Sequence, residues 1–131
     1  MVSDTVGDFI IRLKNAGAVK KNQVNVPYSK LKHAIAETLK REGYLAEVEV
    51  AKKKAAKVLE VSLRYTEDGA HAIAGVKRIS KPGRRLYIKA NELHPVKFGK
   101  GRIILSTPAG ILTGEEARAA NVGGEQLFIV W

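Results

Sequence analysis

Two short segments near the end of the chain carry polar groups next to glycines. They are residues 106–110, with the sequence STPAG, and residues 121–125, with the sequence NVGGE. Hydroxyl and amide groups can contact base edges and ribose 2′-hydroxyls, and glycine lets a backbone come close to a sugar–phosphate chain. The two segments are therefore candidate RNA-contacting loops, one on either side of a predicted helix.

An aromatic residue lies in a basic stretch upstream of these segments. Tyr87 is flanked by Arg84, Arg85 and Lys89. A tyrosine among cations can stack on an exposed base while the cations contact phosphates. The same pattern is equally typical of a half-buried strand tyrosine, so both interpretations stay open at this point.

The chain of 131 residues has 23 Lys and Arg against 13 Asp and Glu, a formal net charge of +10. Because Lys and Arg release condensed counterions from phosphates, this balance predicts a polyanionic partner, most simply nucleic acid. The alternative is a basic protein that its charge keeps in solution.

The positive charge is densest between Gly69 and Gly114, where Glu92 is the only acid. Ordinary solvated surfaces mix both signs, so this block predicts an electrostatic face. Its nine basic residues are Lys77, Arg78, Lys81, Arg84, Arg85, Lys89, Lys97, Lys100 and Arg102. The separate run Lys52-Lys53-Lys54 fits the turn of a hairpin, where a solvated tip explains it at least as well.

Several kinds of catalytic or metal site find no support in the sequence. The chain has no cysteine, and His33, His71 and His94 lack the short spacings of metal-binding motifs. No Ser lies in a G-x-S-x-G motif, and the glycines at 99 and 101 do not continue into a dinucleotide fingerprint. We therefore expect no metal, no cofactor and no small-molecule substrate.

The sequence also lacks the roughly 20 consecutive apolar residues of a membrane helix and the basic and apolar regions of a secretion signal. We expect a cytoplasmic protein with no membrane partner. With 45% hydrophobic residues, it is expected to fold around a core.

Periodicity in the first half predicts helices and strands in the order αβαββ. A first helix would begin after Ser3 and end at Gly17, and a second would begin after Ser29, end at Gly43, and bury Leu31 among other apolar residues. Alternating residues at 48–50 and 59–65 predict a hairpin. The polar segment at 66–69 is interpreted as a linker, which gives domains at 1–66 and 67–131.

The second half is predicted to be mostly antiparallel strands with one short helix. Strands are expected near residues 73–80, 85–89, 102–106 and 126–131, with a type II turn at Pro82-Gly83. Thr113 and Glu116 fit a capping box for a helix that ends near Asn121. The fold class is therefore α+β, with two small packed domains.

Motifs spread over essentially the whole chain resemble the bacterial small-subunit ribosomal protein S8 family. The similarity is carried by 8–15 (DFIIRLKN), 29–32 (SKLK), 78–85 (RISKPGRR) with Tyr87, and the end of the chain. In the last part, the matching residues are 106–107, 110–113, 117–118, 123–125 and 130–131. Motifs in this order are more specific than any one of them.

The resemblance implies a protein that binds the central domain of small-subunit ribosomal RNA, helps to assemble the platform and contacts neighbouring small-subunit ribosomal proteins. In some bacteria the family also represses its own operon by binding a messenger RNA. The positions that match the family's RNA-contacting loops are Ser106, Thr107, Gly123, Gly124 and Glu125, with Tyr87 and Lys30 in support. The charge pattern adds Arg84, Arg85 and Lys89 as phosphate contacts.

One departure from the family pattern concerns the first loop. Pro108 replaces a usual serine and supplies neither a hydroxyl nor a backbone N–H.

Two other function classes also remain open at this point. One is a small RNA-processing hydrolase that uses Glu115, Glu116 or a histidine, and the other is a protein that compacts nucleic acid without regard to sequence.

Overall fold

The computed structural model of the chain describes residues 4–54, 56–93 and 101–131, without the side chain of Lys53. Five residues named above lie outside this range: Ser3, His94, Lys97, Gly99 and Lys100. The described chain forms two compact units, residues 8–74 and residues 75–131 together with residues 4–7. Both combine helices with antiparallel strands, which confirms the α+β class.

The predicted αβαββ order of the first half is confirmed. The elements are α1 (Thr5–Ala18), β1 (Gln23–Pro27), α2 (Lys30–Arg41), β2 (Leu45–Lys53) and β3 (Ala56–Leu63). The strands form an antiparallel sheet in the order β1-β3-β2. The core of the unit comes from one face of each element and includes Phe9, Leu13, Ile35, Leu39 and Leu59.

Local signals account for the boundaries of α2. The Ser29 hydroxyl accepts a hydrogen bond from the backbone N–H of Lys32 at 3.1 Å, so Ser29 is the N-cap. After the last turn, Gly43 adopts a φ of 87°, which glycine tolerates. The prediction that Leu31 is buried was wrong, because the residue lies in the first turn of the helix and is 38% exposed.

The end of α1 differs from the prediction. The helix continues through Gly17 to Ala18, and Lys20 is the residue with a left-handed φ of 60°. Gly17 serves packing instead, since a Cβ there would lie 1.9 Å from Nδ1 of His71. Glycine is needed at this position because the His71 ring lies against the helix backbone.

The segment that the sequence suggested as a linker is a tight turn. The backbone N–H of Gly69 donates to the carbonyl of Thr66, and Ala72 N–H donates to the carbonyl of Arg64. A β-bridge joins Tyr65 and His71. The chain therefore folds back on the unit of residues 8–74 here, while the division into domains at 66 and 67 stays a prediction.

The second half has more strands than predicted. Its elements are β4 (Val76–Arg78), β5 (Tyr87–Ile88), a short 3₁₀ helix (Ala90–Glu92), β6 (Arg102–Thr107), β7 (Gly110–Thr113), α3 (Gly114–Ala119) and β8 (Gly124–Val130). The antiparallel sheet has the order β4-β8-β6-β7, and β5 pairs with the first residues of β8. β7 was not predicted, because Gly110 was assigned to a loop and Thr113 to the cap of the following helix.

The interior of this sheet explains why the chain ends on an apolar strand. The strand predicted near residues 126–131 is confirmed as β8, and its Phe128 and Val130 are fully buried. On the α3 side, Leu105 and Ala117 belong to one core cluster. The capping box before α3 is also confirmed: the Thr113 hydroxyl accepts from Glu116 N–H at 3.2 Å, and Glu116 Oε1 accepts from Thr113 N–H at 3.0 Å.

The turn at Lys81–Arg84 is present but is not of type II. Lys81 and Arg84 each donate a backbone hydrogen bond to the other at 2.9 Å. A type II turn requires a positive φ at its third residue, and Gly83 does not have one. The strands on both sides are also shorter than predicted, at 76–78 and 87–88.

Candidate nucleic-acid interface

Strand pairing brings together three predicted site residues that lie far apart in the sequence. Tyr87 of β5 is directly opposite Glu125 of β8, which is directly opposite Ser106 of β6. Directly opposed residues of antiparallel strands project from the same face. Tyr87, Glu125 and Ser106 therefore form one row across the sheet, the polar row.

The polar row is partly exposed, since Tyr87 is exposed whereas Ser106 and Glu125 are half-buried. Alternation along β6 places Ser106 on the face opposite Ile103 and Leu105, which pack towards α3. Tyr87 is 69% exposed, which excludes the half-buried alternative considered for it. The Ser106 hydroxyl has no hydrogen-bond partner among the described residues. The row thus offers an open aromatic face at one end and a hydroxyl at the other, with Glu125 between them.

Glu125 is held in place by a neighbouring cation. Its Oε2 lies 3.0 Å from Nη1 of Arg85, and the side chains are 17% and 49% exposed, respectively. A guanidinium has five N–H donors, so one contact with Glu125 leaves others that can reach a phosphate. The pair fixes the direction of the carboxylate while keeping Arg85 available at the surface.

The first predicted loop is the tight turn of a β-hairpin. Thr107 at the end of β6 is opposite Gly110 at the start of β7. The Thr107 hydroxyl donates to the carbonyl of Gly110 at 2.8 Å and accepts from the N–H of Ala109 at 3.1 Å. Thr107 therefore shapes the turn with its hydroxyl, whereas Ser106 leaves its hydroxyl free.

Pro108 is accommodated by its position in this turn. It is the first of the two corner residues between Thr107 and Gly110, where the fixed φ of proline is favourable and no ladder hydrogen bond needs its N–H. Gly110 then adopts a φ of 115°. The replacement of the usual serine is thus compatible with the hairpin and rigidifies it.

The two glycines of the second segment pack against the chain's own backbone. A Cβ on Gly124 would lie 2.2 Å from the carbonyl oxygen of Ser106, and one on Gly123 would lie 2.3 Å from that of Ile88. The sequence suggested that these glycines allow a close approach to RNA. The structure shows that their small size is required inside the sheet, next to the polar row.

A buried hydroxyl that was given no role in the sequence arguments organises the basic loop before Tyr87. Ser80 is 1% exposed. Its Oγ accepts from the N–H of Leu86 at 2.9 Å and donates to the Leu86 carbonyl at 3.2 Å. Ser80 therefore closes the loop that presents Arg84 and Arg85. In the sequence, only the position of Ser80 inside the 78–85 motif could have indicated this role.

The predicted basic block divides into free and internally used cations. Nη1 of Arg78 lies 2.6 Å from Oδ2 of Asp4, and this hydrogen bond is the main reason why the pKa of the Asp4 carboxyl is lowered. Arg84 and Lys89 are exposed. Lys30, the first residue of α2, is also exposed but belongs to the unit of residues 8–74.

The two glutamates suggested for a hydrolase have structural or solvent-facing positions. The Glu116 carboxylate is engaged in the cap of α3, and Glu115 beside it is exposed. Within residues 4–54, 56–93 and 101–131, no group of three His, Asp or Glu residues could hold a metal ion.

Comparison with known proteins identifies the family of the chain. Residues 4–131 match the family described as Ribosomal protein S8. The chain belongs to the ribosomal protein S8 family. Members of this family are structural constituents of the ribosome, which confirms the prediction that the chain is not an enzyme.

Individual S8 relatives match over their full length. The small ribosomal subunit protein uS8 of Lactobacillus helveticus is 44% identical over 131 residues, which covers 100% of this chain and 99% of the relative. The protein of the same name from Halothermothrix orenii is 43% identical, and the match covers 99% of this chain and 98% of the relative. That of Enterococcus faecalis is 44% identical. None of the described helices is long and apolar enough to cross a membrane.

Proposed function

We propose that this S8 protein assembles into the small ribosomal subunit by binding the central domain of its ribosomal RNA directly. The observation that carries the proposal is the polar row of Tyr87, Glu125 and Ser106, which lies beside exposed cations. RNA is recognised mainly where bases are unstacked, by aromatic stacking and by hydrogen bonds to base edges and 2′-hydroxyls. The row presents both kinds of group on one face.

Each part of the interface has its own task in this proposal. Exposed Arg84 and Lys89 attract phosphates and set the protein on the RNA without reading its sequence. Tyr87 stacks on an exposed base, and Ser106 donates to or accepts from a base edge or a 2′-hydroxyl. Glu125, whose direction Arg85 fixes, accepts from a base amino group.

Selective binding is favoured over sequence-blind binding because the row contains an unpaired hydroxyl and a fixed carboxylate. A carboxylate repels phosphate, so a surface that only compacts nucleic acid gains nothing from Glu125. A base amino group, in contrast, is a suitable donor for it.

Replacement of Ser106 by Ala tests the proposal. The binding constant for a helix from the central domain is expected to fall by roughly 2- to 13-fold, the equivalent of one hydrogen bond of about 0.5–1.5 kcal/mol. Binding to a random RNA duplex should stay unchanged. The free energy of unfolding should also stay unchanged, because the hydroxyl has no partner among the described residues.

Ser62→Ala is the matched control, since Ser62 lies in β3 of the other unit. Filter binding or fluorescence anisotropy at several salt concentrations gives the constants. Wild-type protein that binds the central-domain helix no better than the random duplex would refute the selective reading.

The same surface serves a messenger RNA in the proposal, as the resemblance to the family implies for operon repression. A leader of the protein's own operon that imitates the ribosomal site should compete with the ribosomal helix. Ser106→Ala should then weaken both RNAs by the same factor. A leader whose binding is unaffected by this substitution would contradict the shared surface, as would a leader that does not compete.

A further inference from the structure

The lysine-rich turn between β2 and β3 is not explained by the polar row. Lys52, Lys54 and Lys57 are all exposed and belong to the unit of residues 8–74. We call these three residues the lysine hairpin. None of them has a carboxylate partner among the described residues, and Lys52 lies directly opposite Lys57 in the sheet.

Strand register separates the charges of this sheet by face. Glu49 is paired with Glu60, and alternation puts both on the face opposite to buried Val48 and Val61. Lys52 and Lys57 have the parity of Val48 and Val61 and lie on the other face. The carboxylates of the same strands therefore cannot neutralise the lysine hairpin.

The hairpin continues into the start of α2. The backbone N–H of Tyr28 donates to the carbonyl of Lys57 at 3.2 Å, and Nζ of Lys57 lies 5.4 Å from the centre of the Tyr28 ring. One residue beyond Ser29, α2 begins with Lys30 and Lys32 and has no acid in its first turn. Lys57 therefore lies next to the segment that leads into α2, whose first turn adds Lys30 and Lys32.

Two features of these lysines are unfavourable for the isolated protein. Like charges directly opposite each other in a sheet destabilise the pair, and lysines at a helix N-terminus face the positive end of the helix dipole. A solvated hairpin tip requires neither feature. A polyanion bound along the lysines would relieve the repulsion between Lys52 and Lys57, since its negative charges would lie near their ammonium groups.

We propose that the lysine hairpin is a second RNA contact that binds backbone phosphates without reading sequence. This second proposal rests on the proposed function, which supplies RNA as the polyanion. It differs from the polar row in chemistry, because exposed lysine ammonium groups act as point charges and offer no fixed geometry for base edges. The hairpin therefore adds affinity and salt dependence, and the polar row adds selectivity.

Salt dependence distinguishes the two sites. The triple variant Lys52→Gln, Lys54→Gln, Lys57→Gln should lower the slope of log binding constant against log salt by about 0.7–0.9 for each lysine, roughly 2 to 3 in total, on a long random RNA duplex. The ratio of binding constants for the central-domain helix and for random RNA at one salt concentration should stay as in the wild type.

The control variant Lys14→Gln, Lys21→Gln, Lys40→Gln removes the same charge from other parts of the unit of residues 8–74. It should change the slope by less than about 1, the effect of a single phosphate contact. An equal slope change in both triple variants would overturn the proposal, because the effect would then reflect net charge. A wild-type protein that binds the central-domain helix and random RNA equally well would instead count against the polar row alone.

A crosslinking experiment tests the contact in the assembled particle. The chain contains no cysteine, so Lys54→Cys and the control Glu60→Cys each create one labelling site for a photoreactive group. In reconstituted small subunits, label at position 54 should crosslink to ribosomal RNA, and label at position 60 should not. Crosslinks from position 54 to protein only, or to nothing, would overturn the proposal.

Discussion

Replacement of Gly124 by Ala should destabilise the sheet of the second unit rather than act on RNA binding alone. The added Cβ would lie 2.2 Å from the carbonyl oxygen and 2.9 Å from the carbonyl carbon of Ser106. Those atoms belong to backbone in the middle strand pair of the sheet, so they cannot rotate away as a side chain would. Overpacking of this kind costs about 1–3 kcal/mol, and we expect a value near the upper end.

Gly83→Ala is the matched control for this substitution. No atom lies within 4 Å of a Cβ at Gly83, and the residue does not have a positive φ. Alanine should therefore stabilise the folded protein by about 0.4–1 kcal/mol, because it restricts the unfolded chain. The two variants carry the same chemical change and are expected to shift stability in opposite directions.

Trp131 provides the measurement. It is the only tryptophan of the chain, and its backbone exchanges hydrogen bonds of 3.1 Å with Gly75 in the same unit. Its fluorescence during urea denaturation reports the free energy of unfolding of that unit. A Gly124→Ala protein as stable as Gly83→Ala would refute the packing argument. If that stable protein had also lost RNA binding, the glycine would be needed for approach to RNA after all.

Three further predictions concern other parts of the chain. Thr113→Ala should lower the free energy of unfolding by about 1 kcal/mol in the same Trp131 assay, because the capping box of α3 is lost. Glu116→Gln keeps the capping box and should have little effect. Burial, helped by Lys20, lowers the pKa of His71 from its usual 6.5, so the unfolded chain binds a proton more readily than the folded one. The unit of residues 8–74 should therefore lose stability as the pH falls through about 6.5. Hydrogen exchange of its backbone amides measures this loss. Unchanged protection of the amides between about pH 7.5 and 5.5 would contradict the prediction. Lys89→Gln should weaken binding to every RNA alike and lower the salt slope by about 0.7–0.9, and a loss confined to the central-domain helix would show that Lys89 reads sequence.

Much of the local structure could be predicted because its causes lie within a few residues. The Ser29 cap, the Thr113 capping box and the alternation along β3 each depend on near neighbours in the chain. The family motifs were equally readable, since they consist of residue types in order. The class of the fold and the attraction to a polyanion followed from these features and from net charge.

The errors arose where a distant part of the chain decides the conformation. Gly17 looked like a helix end, but it is a packing position for the His71 ring. Residues 106–110 were interpreted as a loop because they combine polar residues with proline and glycine, and pairing of β7 with β6 makes this segment the end of a hairpin. Such pairings depend on the register of strands, which no local pattern specifies.

The sequence by itself determined the family, the α+β class and the set of residues from which a site could be built. Only the tertiary structure decided how those residues divide their tasks. Strand register puts Tyr87, Glu125 and Ser106 in one row, while the Thr107 hydroxyl bonds within its own turn and Gly124 packs against the backbone of Ser106. The physical reason is that side-chain availability depends on which hydrogen bonds and contacts the folded backbone already uses.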